Sequence, residues 1–191
     1  MTPFVLVTGN RHKVAEAERI LGRPVEQLAL DLPEIQSLDL REVLAAKAAE
    51  AWRRLGRPLI VEESGLDLPA LGGFPGPLVR WMLEAAGAAG IARTALALDD
   101  GRAVARCALL LRRDGDPSGD LLVEAAVDGH LVLPPRGAGG FGWDTVFVTD
   151  GERRTNAELS DEEKDALSPR GRAWRRLAPL LASPPPRDVS S

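Results

Sequence analysis

A chain of 191 residues, 45% apolar and 27% charged, is long enough for one domain or two closely joined lobes around a real core. Its net charge of −4 excludes a general polyanion binder, so no nucleic-acid partner is expected. One cysteine (Cys107) excludes an internal disulfide and fits a reducing compartment; with no export-signal core and no membrane-length apolar run, the expected location is cytoplasmic.

Phe4–Thr8 reads as a short buried strand that stops at Gly9-Asn10. Val14, Ala17, Ile20 and Leu21 then recur on one helical face until Gly22 ends the helix. A second strand is expected near Val25–Leu30, followed by a loop through Glu34. Leu40, Val43, Leu44, Lys47, Ala48 and Trp52 define a longer helix closing at Gly56. Pro58–Val61 is a third strand, running straight into Glu62-Glu63-Ser64-Gly65, which this pattern places just after the strand. The strand-helix alternation predicts a largely parallel core.

The middle of the chain differs. The glycine- and proline-rich run from Gly72 to Pro77 breaks any helix and leads into one over Leu78–Ala86. Arg102–Arg112 and Asp120–Leu133 read as a hairpin around Asp114–Gly119. A loop over Pro134–Gly142 precedes a strand at Thr145–Val148. Ser160-Asp161-Glu162-Glu163 is a capping box, and Ser168-Pro169 opens the last helix with proline at its first position. Residues 1–182 read as a single domain, and the proline-rich 183–191 as a disordered tail.

Three motifs bear on chemistry. Thr8-Gly9-Asn10-Arg11-His12-Lys13 lies at a strand-to-helix turn, where free amides and the helix dipole can meet phosphate; the alternative is that Asn10 simply caps a helix and Lys13 is solvated. Glu62-Glu63 lies where α/β sheets place ligands and could take Mg²⁺, or else forms an acidic surface turn; Glu34 is open to the same two readings. In Gly139-Gly140-Phe141-Gly142-Trp143-Asp144, glycines flank two aromatics that can stack on a base or fill a core. Lys164 and Arg170 each read singly as helix charges, and His12 and His130 offer no zinc site or triad.

In chain order these blocks resemble the inosine triphosphate pyrophosphatase family, from Thr8 to about Leu177. They are Thr8-Gly9-Asn10-x-x-Lys13, Leu32-Pro33-Glu34, Glu62–Leu66, Ala70–Pro77, Phe141-Gly142-Trp143-Asp144, Ala157-Glu158-Leu159, Lys164 and Ser168-x-Arg170. The resemblance implies Mg²⁺-dependent hydrolysis of inosine and xanthosine triphosphates and their deoxy forms to monophosphate and pyrophosphate. It implies a curved mixed sheet flanked by helices, two lobes with the active-site cleft between them, and a homodimer. Thr8, Asn10, Lys13, Lys47 and Ser64 would hold the triphosphate. Glu34 and Glu63 would bind Mg²⁺, with Glu63 activating water. Phe141, Gly142, Trp143 and Asp144 would meet the purine, and Lys164 and Arg170 its edge. The chain departs from the family pattern at Glu63, where Asp is usual, at Pro169, where His is usual, and at Thr145, where Pro is usual. The first alters the reach of a carboxylate, and the second removes a polar group near the base, which predicts weaker base discrimination.

Overall fold

A computed structural model of the chain describes residues 4–98 and 101–182, so the tail predicted at 183–191 lies outside the described residues. The first strand, β1 (Val5–Val7), gives way to α1 (Arg11–Leu21), which Asn10 opens by accepting from the His12 amide. β2 (Glu26–Leu28) and α2 (Leu40–Leu55) follow, α2 being opened by Asp39 in the same manner. β3 (Leu59–Asp67) is next, then the short β4 (Pro75–Gly76) and α3 (Val79–Leu98). β5 (Arg102–Arg112) and β6 (Leu121–Leu131) form the predicted hairpin, and β7 (Phe147–Thr149) lies beside it. Two short helices, α4 (Asp161–Leu167) and α5 (Pro169–Leu177), begin at the predicted capping box and proline.

The sheet is open and mixed, with seven strands in the order β2-β1-β3-β5-β6-β7 and β4 paired to β3. β1 runs parallel to both β2 and β3, and every later pairing is antiparallel. Strand alternation sorts the core into two layers. Phe4, Leu6 and Ile60 pack with α1 and α5, around the fully buried Trp174. Val5, Val7, Leu59 and Val61 pack on Leu40, Leu44, Ala48 and Ala51 of α2. A third cluster, with Leu66, Ile91, Ala105, Leu131 and Phe147, gathers around α3 at the other end of the long hairpin.

Three expectations need correction. Glu62-Glu63-Ser64-Gly65 does not follow the third strand but lies inside it. β3 pairs with β5 from Leu59 to Asp67, so nine ladder positions override a turn-like composition. The helix expected to end at Ala86 continues to Leu98, interrupted at Gly87, whose φ of 67° only glycine adopts readily. The strand expected at Thr145–Val148 is shifted to Phe147–Thr149, because its partners on β6 are Gly129–Leu131.

The pairing also opens the molecule. β1 accompanies β3 only as far as Val61, and β4 joins only at Leu66. Between them, the edge of β3 at Glu62–Gly65 has no strand beside it among the described residues, and a cleft forms there.

Candidate active site

A cavity of about 690 Å³ occupies that opening, a size ordinary for a nucleotide-scale ligand. Its walls come from the β1–α1 turn (Thr8, Asn10, Lys13), the loop at Glu34, Lys47 of α2 and Glu62–Ser64 of β3. Arg80 and Trp81 of α3, the Phe141–Asp144 loop and Arg170 complete them. Of the predicted site residues, only Lys164 is not on the wall. It lies buried behind it.

The adjacent glutamates are separated by the period of the strand. Glu63 points to the α2 side, where Lys47 Nζ donates to its Oε2 and, at 2.7 Å, pairs with Glu34 Oε1. Carboxylate oxygens from β3 and from a distant loop therefore converge on one point at the cleft wall. Burial opposes the negative charge of Glu34, but the Lys47 ammonium, with Arg80 behind it, holds that carboxyl below its ordinary value. Burial likewise opposes the charge of Lys47, and Glu63 and Glu34 outweigh it, keeping the amine a cation.

Glu62 points the other way, into the layer of α1 and α5, and its side chain is fully buried. Arg170 Nε donates to Glu62 Oε1 at 2.8 Å, Trp174 Nε1 donates to Oε2 at 3.3 Å, and Lys13 lies 3.4 Å from Oε1. The other guanidinium nitrogens of Arg170 donate to Glu16 Oε2 at 2.7 Å and Ser64 Oγ at 3.1 Å. Glu16 Oε1 accepts from Lys164 Nζ at 2.9 Å, and Lys164 reaches on to Asp144 Oδ2 at 2.7 Å. Desolvation on this scale is tolerable only because each charge is paired and hydrogen-bonded. Burial works to raise the carboxyls of Glu16 and Glu62, and their Arg and Lys partners overcome it, so both end lowered.

Asp144 also fixes the aromatic loop. Its Oδ2 accepts from the Phe141 amide at 2.7 Å, and a Cβ at Gly140, where φ is 70°, would overlap that carboxylate. Phe141 thus projects beside Lys164 (4.9 Å to the ring centroid) and Arg170 (5.0 Å), with His12 stacked on it at 5.2 Å. Trp143 packs partly on the α3 cluster, a mixture of the two readings open to it.

Sequence reasoning missed Glu16, Arg80 and Trp174, and read Glu62 together with Glu63 as an Mg²⁺ ligand or a surface turn, where the structure makes it a buried partner of Arg170. Glu16 carried a faint signal, being an acid between Val14 and Ala17 on the apolar face of α1. Among the described residues no cluster of three or more acidic, His or Cys side chains could hold a metal, so a divalent ion would rest on Glu34, Glu63 and ligand oxygens. Two converging carboxylates are the donor set such a hard ion takes when phosphates supply the rest.

Comparison with known proteins finds relatives over nearly the whole chain. The Ham1 family model matches residues 4–180. Inosine triphosphate pyrophosphatase 2 of Trypanosoma cruzi is 43% identical over 171 residues, covering 88% of this chain and 86% of the relative. The dITP/XTP pyrophosphatase of Hyperthermus butylicus is 36% identical over 188 residues, covering 96% and 97% respectively. The solved structure of a HAM1 protein from Coxiella burnetii superposes with a TM-score of 0.78 at 28% identity, covering 95% of this chain and 98% of that one. No helix among the described residues is long and apolar enough to cross a membrane.

Proposed function

The chain belongs to the Ham1 family, and on that premise we propose that it hydrolyses non-standard purine nucleoside triphosphates (ITP, dITP, XTP) to monophosphate and pyrophosphate, with Mg²⁺. The observation that supports this most directly is the convergence of Glu34 and Glu63 on one point of a cleft that also holds Lys13 and Phe141.

In this reading the triphosphate lies along the β1–α1 turn, where Thr8, Asn10 and the first amides of α1 face the cleft. Lys13, Lys47 and Ser64 complete its contacts. Each lysine already faces a carboxylate (Lys13 with Glu62, Lys47 with Glu34 and Glu63), so a polyanion entering this nearly balanced site needs a cation brought with it. Glu34 and Glu63 would hold Mg²⁺, which supplies charge neutralisation at the phosphates when bound. Glu63 positions and deprotonates the water that attacks the α-phosphorus. Phe141, Gly142 and Trp143 flank the purine, and Asp144 holds their loop in place.

At the base end, Arg170 and Lys164 spend their donors on Glu16, Glu62, Ser64 and Asp144. Recognition of a 6-oxo group then depends on whatever donors that network spares, and Pro169 adds none. This supports a modest preference for ITP and XTP over ATP, whose base carries a 6-amino donor in place of the 6-oxo acceptor. One domain over residues 1–182, a homodimer and a cytoplasmic location complete the proposal.

A nucleotide panel (ITP, dITP, XTP, GTP, ATP) with pyrophosphate and orthophosphate detected separately tests it. Pyrophosphate release from ITP, dITP and XTP, abolished by chelation and restored by Mg²⁺, is expected. Orthophosphate as the product, or equal rates on all bases, would sink the assignment.

A further inference from the structure

The ion pairs at the two ends of the cleft differ in one respect that bears on how metal enters. Arg170, Lys164, Glu16 and Glu62 are buried and have several partners each. Lys47 is reachable: its side chain keeps 12% exposure, Glu63 keeps 15% and Glu34 keeps 42%, all on the cavity wall. Its ammonium occupies the spot where oxygens of Glu34 and Glu63 meet. Two carboxylates converging without a cation would repel each other, so in the nucleotide-free protein the ammonium does what an ion would do there. A divalent ion and the ammonium cannot share that point, since like charges at contact distance oppose one another.

We propose that Lys47 is a built-in placeholder for the divalent ion, and that metal binding proceeds by exchange: the ammonium leaves the Glu34–Glu63 point as the ion enters. This rests on the reading of Glu34 and Glu63 as metal ligands. The released ammonium faces the same cavity, where phosphate oxygens can receive it. Metal and nucleotide therefore favour each other, because each relieves a cost the other meets alone. Metal without nucleotide binds weakly, since the ammonium gives up two charge-assisted hydrogen bonds with nothing to replace them. The ammonium keeps the two carboxylates aligned until the ion arrives.

Titration of nucleotide-free protein with Mn²⁺ alone, following free Mn²⁺ by electron paramagnetic resonance, tests the exchange without any turnover. Lys47→Met removes the competitor and is expected to tighten Mn²⁺ binding about tenfold, the scale of hydrogen bonds to charged groups. Lys47→Arg, which keeps a cation at the site, is expected to stay close to wild type. A folded K47M that binds Mn²⁺ no tighter than wild type overturns the exchange. Circular dichroism checks folding, with Lys47→Gln as the second neutral variant; if neither folds, the ammonium belongs to the fold and the proposal fails. Tight Mn²⁺ binding by K47M alongside absent pyrophosphate release by the wild-type protein would overturn the assigned activity while leaving the exchange standing.

Discussion

Glu62 and Glu63 are neighbours in the chain, yet they serve opposite ends of the cleft. Glu62 is locked under α1 and α5 by Arg170, Trp174 and Lys13, while Glu63 sits at the wall with Lys47 and Glu34. A strand turns alternate residues to opposite faces, so a single step along β3 divides a desolvated, fully paired network from an accessible, exchangeable one. The first kind of charge holds the site in shape. The second is the kind that the proposed reaction would use. A buried ion network is poor at changing partners, since every departure leaves a desolvated charge behind, and this makes it a firm back wall for the cleft.

The largest expected effect tests the buried end. Arg170→Met leaves Glu16 and Glu62 without their shared partner, and loss of one member of such a set costs about 3–5 kcal/mol. For a chain of this size that is a fall in Tm on the order of 10 °C. Arg80→Met removes an arginine whose side chain is 64% exposed at the mouth, and should change stability by no more than about 0.5 kcal/mol. Equal melting shifts in the two variants would erase the distinction between the ends.

Next in size is the contrast within β3 itself. Glu63→Gln is expected to lower kcat about 100-fold or more, as the loss of the carboxylate proposed to hold the metal and activate water should. Its stability should stay within about 1 kcal/mol of wild type, because Lys47 keeps Glu34 as a partner. Glu62→Gln should instead lower the Tm clearly, since the buried Arg170 loses an ionised partner. Full turnover by E63Q, or melting curves for E62Q and E63Q that coincide, would break the comparison.

Much of this frame could be read from the chain because it is written in local periods. The 3.6-residue pattern of Val14, Ala17 and Leu21, the capping box at Ser160 and the proline at the start of α5 all point to elements the structure contains. What failed to show was set by distant partners. Glu62–Gly65 has the composition of a turn, and only the ladder to Leu109–Arg106 of β5 makes it strand. Lys164 and Arg170 look like helix charges on a surface, and the acid that buries them, Glu16, lies roughly 150 residues earlier, with sequence separations of 148 and 154. No short window contains such a pairing. The ordered motifs located the cleft, but they did not distinguish the residues that face a ligand from those that hold the wall.

Acid sensitivity gives the smallest effect and separates the two ends by burial. Glu16 and Glu62 have carboxyls held below the ordinary value of 4.5, burial being outweighed by Arg170 with Lys164 or Lys13. A lowered folded value means these groups stabilise the protein above 4.5 and cease to do so as pH falls through that lowered value. Asp165 shifts the other way: burial raises its carboxyl above 3.8 despite Arg19, so its ionised form costs stability and acid relieves that cost. The two opposing contributions predict a Tm nearly flat from neutral pH down to about 4.5, then falling as Glu16 and Glu62 take up protons. Glu34, also held low, is 42% exposed and screened by solvent, so it contributes little to that fall. Melting curves of wild type and Glu34→Gln across this range decide the matter. A decline that persists in E34Q places the acid lability outside the mouth, whereas one that disappears would move it to the mouth and reverse the roles given to the two ends.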